Sequence, residues 1–190
     1  MELVIASNNK HKVHEIKTIL AGKFDRIYSL AELSINVDPE ETATTFLGNA
    51  MIKAQAIAAC TDKAVVADDS GLEVSALNGA PGVFSARYAG EPVSDANNNA
   101  KLLFELQGVK ERSARFVTTM VLLFPNGKTI VGLGEVKGEI LTELEGKNGF
   151  GYDPLFYSYE LKKTFGEATD EEKNSVSHRS RALQNILEQL

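Results

Sequence analysis

"KAVVADDSGLEV", Lys63 to Val74, runs small apolar residues into two adjacent aspartates and a Ser-Gly pair. Ala64 to Ala67 reads as a buried strand, and Leu72 to Ala76 as another. Aspartate is a poor strand residue and is costly to bury unpaired. Neighbouring strand side chains point to opposite faces, so Asp68 and Asp69 cannot share one task. One can face a ligand while the other ties down neighbouring backbone. A carboxylate at a strand end in an α/β sheet is well placed for a ligand. Hard oxygen donors suit Mg²⁺, which usually takes one or two carboxylates together with substrate phosphates. A polar strand end followed by a turn explains the same residues equally well.

Working outward, Glu2 to Ala6 reads as a short buried strand. The polar Ser7-Asn8-Asn9 follows, and then a helix with Val13, Ile16 and Leu20 on one face. Phe24 to Leu30 is a candidate strand. Thr44 or Thr45 caps a helix through Cys60, with Phe46, Ala50, Ala54 and Ile57 in register. Gly79-Ala80-Pro81-Gly82 signals a turn. Ser94-Asp95 opens a helix through Leu106. Ala114 to Phe124 is a long strand, turned at Pro125-Asn126-Gly127 into a hairpin with Lys128 to Val136. Glu145 to Asp153 is a glycine-rich loop. Thr169 and Glu172 form a capping-box pattern. Ser177 to Leu190 predicts a terminal helix with Leu183, Ile186, Leu187 and Leu190 inward. Helices alternate with strands early and a long hairpin comes later, which predicts an α/β fold with a mixed sheet.

With 190 residues, 43% of them hydrophobic, the chain can bury a core as a single domain over 1–190. A formal net charge of -6 argues against a broad nucleic-acid or anionic-membrane surface, but not against a small anionic ligand. Cys60 is the only cysteine, which excludes an internal disulfide and thiolate metal sites. The N-terminus lacks a basic start and a signal-length apolar run, and no stretch approaches membrane-spanning length. A cytoplasmic protein without nucleic-acid or membrane partners is expected.

Four polar clusters carry possible chemistry. Ser7, Asn8, Asn9 and Lys12 lie where a strand meets a helix N-terminus, whose unpaired N–H groups and partial positive charge attract phosphate. An ordinary cap with a surface lysine is the plainer alternative. No Walker A or G-x-G-x-x-G pattern occurs. The Asp68-Asp69-Ser70-Gly71 stretch is the second cluster. Glu40-Glu41 precedes the second helix and offers a further carboxylate to the same ion, or simply complements the helix dipole. The fourth joins "GFGYDP" (149–154) to "KNSVSHRSRA" (173–182). Phe150 between glycines places an aromatic ring on a loop, suited to stacking on a base. Asp153, His178 and Arg179 offer an acceptor and donors for base edges. Alternatively, Phe150 and Tyr152 are core residues and His178 and Arg179 merely begin a helix. Together these are the parts of a nucleoside triphosphate site.

The chain also resembles the inosine/xanthosine triphosphate pyrophosphatases, which hydrolyse non-standard purine nucleoside triphosphates. The resemblance rests on "ASNNKHK" (6–12), "EETATTF" with "NAMIKA" (40–54), "ADDSGLEVSALNGAPGVFSARYAG" (67–90), "GFGYDPLF" (149–156) and "EEKNSVSHRSRAL" (171–183). It implies an elongated mixed β-sheet with flanking helices, in two lobes around a central cleft. It also implies a homodimer, Mg²⁺ dependence, and cleavage of ITP, dITP or XTP to monophosphate and pyrophosphate. By position, Ser7, Asn8, Asn9 and Lys12 fall on the phosphate contacts. Asp69 falls on the catalytic carboxylate and metal ligand, Glu41 on a second metal position, and Ser70 on a substrate contact. Phe150, Gly151, Tyr152 and Asp153 fall on the base loop, and Lys173, His178 and Arg179 on further substrate contacts. Lys53 and Arg87 match basic positions. Gly48 departs from the pattern, since many relatives carry glutamate there. Donors from Arg179 or loop N–H groups would suit a purine 6-oxygen. Two rivals stand beside this reading: a pyrophosphatase for modified pyrimidine nucleotides, and a nucleotide-binding module without chemistry.

Overall fold

The strand that carries the aspartate pair does not stop at them. In the computed structural model, which describes all 190 residues, Ala64–Val74 is a single strand in place of the two that the sequence predicts. The polar residues stay in the strand because side chains from outside it meet their needs. Ser85 Oγ accepts from the Leu72 amide at 2.9 Å and donates to the Gly82 carbonyl at 2.6 Å. Gly71 is required by this close approach: a Cβ there would lie 2.2 Å from the Gly82 oxygen. The glycine that reads as a strand breaker is a point of contact.

The elements run β1 (Glu2–Ile5), α1 (Lys10–Ile19), β2 (Arg26–Ser29), α2 (Phe46–Ala58), β3 (Ala64–Val74), α3 (Asp95–Glu105), β4 (Ser113–Leu123), β5 (Thr129–Ile140), β6 (Phe156–Ser158), β7 (Lys163–Thr164), α4 (Asp170–Val176) and α5 (His178–Leu187). They form one seven-stranded sheet in the order β2-β1-β3-β4-β5-β6-β7. β1 is parallel to both β2 and β3, whereas β6 is antiparallel to β5 and β7. This is the mixed α/β sheet expected from the sequence. Asn9, Thr45, Ser94 and Thr169 each accept backbone N–H groups as N-caps, and Thr169 and Glu172 complete a capping box. β5 continues past Val136 to Ile140. β6 and β7, only 3 and 2 residues long, are additions that no periodicity reveals. Leu190 is a correction: α5 ends at Leu187, and Leu190 is exposed rather than turned inward.

The chain divides into two compact units, Met1–Asp69 with Thr118–Gly134 and Arg179–Leu190, and Ser70–Val117 with Glu135–His178. The first unit has a core on each face of its strands, and the alternation of β1 and β3 sorts them. Leu3, Ile5, Ala64 and Val66 pack with Ile16 of α1, with Leu20 at its C-cap, and with Ala182, Leu183 and Ile186 of α5. Val4, Ala6, Val65 and Ala67 pack with Ala50, Ala54 and Ile57 of α2. One parallel crossover runs from β1 out to β2 and the next returns from β2 past β1 to β3, and crossovers of one hand made in opposite directions put their helices on opposite faces. The second unit closes around Leu72, Val74, Leu102, Phe116, Phe156 and Phe165, among others.

Candidate active site

In the first unit the strand order reverses at β1: the chain leaves β1 for β2 on one side and returns to β3 on the other. In open α/β sheets, ligands bind in the crevice at such a switch point. The last β1–β3 partners are Ile5 and Val66, so the turn and helix start of Ser7–Lys12 follow the end of β1 while Asp68 and Asp69 continue along the neighbouring β3.

The two aspartates part to opposite faces, as the twofold strand repeat requires. Asp68 follows Ala64 and Val66 onto the α1/α5 face. Its Oδ2 lies 3.0 Å from Lys12 Nζ and 3.5 Å from Arg179 Nη2. Arg179 Nη1 is paired with Glu15 of α1. Burial pushes the Asp68 carboxyl up, but Lys12, Arg179 and Lys53 outweigh it and hold it well below the usual carboxylate range. Burial moves the Lys12 ammonium below its ordinary value, with Asp68 opposing and Lys53 and Arg179 assisting the fall.

Asp69 follows Val65 and Ala67 onto the α2 face. Its Oδ2 accepts from Asn49 Nδ2 at 3.0 Å, and its backbone carbonyl accepts from Thr118 Oγ1. Lys53 Nζ lies 2.9 Å from Glu41 Oε1 and 3.9 Å from Asp69 Oδ1. Burial raises Asp69 above the ordinary aspartate value against the pull of Lys53, Asn49 and Lys12, and the Glu41 charge adds to the rise. Two carboxylates therefore face one cation, Lys53. No group of three or more His, Cys, Asp or Glu side chains is gathered as a metal cluster. Two hard carboxylates beside one lysine are nonetheless of the donor type that suits Mg²⁺, which usually takes one or two carboxylates together with substrate phosphates. Gly48 sits at the start of α2, where a Cβ would lie 2.5 Å from Ala43 Cβ. No larger residue fits there without moving the 41–45 segment.

At the start of α1, the Asn9 amide donates to Ser7 Oγ, and the His11 and Lys12 amides donate to Asn9 Oδ1. Asn8 Nδ2 donates to Asp38 Oδ1. Asn8 and Asn9 are exposed and Ser7 is half-buried.

The second unit holds the remaining sequence-derived residues apart from Arg179, which belongs to the first. Phe150 is half-buried, not fully exposed, with Lys173 Nζ 4.6 Å from its ring centroid. Asp153 Oδ2 accepts from the Phe150 amide at 2.9 Å and from Lys173 Nζ at 2.6 Å. Gly149, at φ 72°, permits this fold of the loop, since a Cβ there would lie 2.0 Å from Asp153 Oδ2. The Gly151 amide donates to Asp95 Oδ2 and its carbonyl accepts from Asn99 Nδ2. The Phe150 and Gly151 amides of the loop are thus engaged within the protein. Tyr152 is buried, and its hydroxyl donates to the Ser85 carbonyl. His178 stacks on Phe116 at 5.0 Å between centroids. Ser70 is half-buried in β3. Arg87 is exposed, its guanidinium 5.4 Å from the Phe84 ring centroid. Arg179, expected at a base edge, instead has its guanidinium on Glu15 and Asp68, at 1% exposure.

Sequence reasoning missed Asn49 and Glu15. Asn49 sits within a quoted motif but carries no charge pattern. Glu15 lies three residues after Lys12 on the helix face that carries Ile16, a signal for a charge turned toward the core.

The fold and site define an α/β protein with a lysine–carboxylate cluster at the switch point of its parallel strands. The chain belongs to the Ham1 family, which matches residues 3–189. It is 50% identical to a dITP/XTP pyrophosphatase of Desulforamulus reducens, covering 99% of this chain and 94% of the relative. It is also 50% identical to a dITP/XTP pyrophosphatase of Clostridium perfringens, over 100% of this chain and 97% of the relative. Among solved structures, the Ham1 protein of Staphylococcus aureus aligns with a TM-score of 0.86 at 46% identity, over 100% of this chain and 99% of that one. A HAM1 protein of Coxiella burnetii aligns at 0.87 and 40% identity over 100% of both chains.

Proposed function

We propose that this chain, acting as one domain over 1–190, hydrolyses non-standard purine nucleoside triphosphates (ITP, dITP and XTP) to the monophosphate and pyrophosphate. The observation that carries the chemistry is the convergence of Asp69 and Glu41 on one cation at the switch point, where the α1 N-terminus and Lys12 also lie. The names of the relatives supply the substrate class. Ser7, Asn8, Asn9 and Lys12 would hold the polyphosphate, and Asp69 with Glu41 would hold Mg²⁺. Bound there, Mg²⁺ would offset phosphate charge and stabilise pyrophosphate as the leaving group. Asp69, raised above the ordinary aspartate value, is placed to accept a proton from the water that attacks the α-phosphorus. Lys12 and Lys53 offset the growing negative charge. Ser70 would contact the substrate beside Asp69. Phe150 is the ring for the base. Gly151, Tyr152, Asp153, Lys173 and His178 build and brace its surroundings, and Arg179 braces the phosphate end. A homodimer is the assembly that the family resemblance implies. A cytoplasmic location agrees with a nucleotide-pool substrate, and no helix is long and apolar enough to cross a membrane.

The test is pyrophosphate release from inosine, xanthosine, deoxyinosine, adenosine, guanosine and methylated pyrimidine triphosphates, with and without Mg²⁺. Release from the inosine and xanthosine substrates is expected only with the metal. Preference for a methylated pyrimidine, or binding without release, would overturn the assignment.

Phe150→Ala is expected to raise KM with a smaller change in kcat. Base–aromatic stacking contributes about 1–3 kcal/mol, or roughly 5- to 150-fold in affinity. An unchanged KM for ITP would remove the stacking role.

A further inference from the structure

Asp68 is the buried carboxylate that the proposed chemistry leaves idle. It is 1% exposed and on the strand face opposite Asp69, so it does not reach a ligand itself. We propose that Asp68 is a positioning residue, fixing the Lys12 ammonium where the polyphosphate binds. This rests on the reading of residues 7–12 as the phosphate pole.

Three observations support it. The amides of Asn9, His11 and Lys12 already donate to Ser7 Oγ and Asn9 Oδ1. Much of the helix start is therefore committed, which leaves the Lys12 ammonium as the strong donor for an anion. A lysine ammonium is a point charge on a flexible stem, and holding it in one place costs side-chain entropy. Asp68 Oδ2, 3.0 Å from Lys12 Nζ, takes one of its three donors and leaves the others. Finally, Asp68 is itself held. Arg179 of α5 reaches Asp68 with one nitrogen, at 3.5 Å, and Glu15 of α1 with the other. Glu15 and Lys12 are three apart on one helix, so the planar guanidinium ties the face of α1 that carries Lys12 to the strand that carries Asp68. The Lys12 side chain keeps 16% exposure where Asp68 keeps 1%. The lysine presents the charge and the aspartate aims it.

The experiment is a double-mutant cycle on K12M and D68N, read as the affinity for inorganic triphosphate in EDTA by calorimetry, with thermal unfolding in parallel. In EDTA the carboxylates of the metal position do not contribute through a cation. D68N alone is expected to weaken triphosphate by about tenfold or more, because a misplaced group loses its effect steeply. In the K12M background the same change is expected to stay within about twofold. A purely structural Asp68 would lower the melting temperature and weaken triphosphate equally in both backgrounds, or not at all, and either result overturns the inference. Should D68N not fold, D68N/R179Q keeps the cluster's net charge unchanged. It is expected to bind triphosphate about tenfold more weakly than R179Q alone, and equal affinity overturns the inference. If K12M binds like the wild type, the phosphate pole itself is misassigned and the inference falls with it. If K12M weakens binding and D68N does not, only the role of Asp68 falls.

Discussion

Asp69→Asn is expected to lower turnover of ITP by roughly 10³-fold or more while leaving nucleotide affinity within a few-fold and the melting temperature undiminished. The three readouts follow from one environment. The substitution keeps the shape of the side chain and an oxygen able to accept from Asn49 Nδ2, so α2 remains tied to β3. It removes the negative charge that would hold Mg²⁺ and accept the proton. That charge is costly in the folded protein. Burial raises the Asp69 carboxyl above its ordinary value, and the nearby Glu41 charge raises it further, despite Lys53 and Asn49. A group whose neutral form is favoured by folding gives up no stability when it is made neutral for good. Loss of activity with stability kept or gained is the signature of a residue placed for chemistry at the expense of the fold. A fall in melting temperature alongside the fall in kcat would instead make Asp69 a structural anchor. Turnover near the wild-type rate would remove it from the reaction.

The sequence revealed geometry better than partnership. The split of Asp68 and Asp69 follows from strand periodicity, and the structure distributes Ala64, Val66 and Asp68 to one face and Val65, Ala67 and Asp69 to the other. The caps at Thr45, Ser94 and Thr169 were legible because a capping side chain bonds within a few residues of itself. Partners far along the chain were not. Nothing local says that Arg179 closes on Glu15, or that Ser85 Oγ replaces a strand partner for Leu72. Those contacts exist only once non-local packing has formed, and the mistakes cluster there. Arg179 reads as a donor for a base edge because an arginine is almost never fully buried unless paired, and its partners are far along the chain. Gly71 reads as a break because its need for contact with Gly82 is invisible in order of residues. The engagement of the Phe150 and Gly151 amides is equally hidden, because the carboxylates that take them, Asp153 and Asp95, do not advertise the pairing.

Arg179→Met should be among the most damaging single changes to stability. Arg179 is among the largest fully buried side chains, and it carries a charge. Its guanidinium touches Glu15 and Asp68, themselves 7% and 1% exposed. Methionine fills part of the volume but compensates neither carboxylate. Removing one partner of a buried ion pair typically costs about 3–5 kcal/mol, because the remaining charge is left desolvated. Lys12 still faces Asp68, which limits the damage there, whereas Glu15 loses the guanidinium that the structure gives it. With a urea dependence of about 2 kcal/mol per molar, the unfolding midpoint should fall by roughly 1.5–2.5 M. Adding Glu15→Gln to Arg179→Met should recover part of the loss, since it removes a buried charge that has lost its guanidinium. Surface pairs provide the contrast. Arg115 contacts Glu73 and Glu135 with nearly half its side chain exposed, and Arg115→Ala should cost no more than about 1 kcal/mol. If the two arginines prove equal in effect, the cluster around Asp68 is solvated, and burial is not what gives it its strength. If Glu15→Gln deepens the loss instead of relieving it, Glu15 is held by a partner other than Arg179.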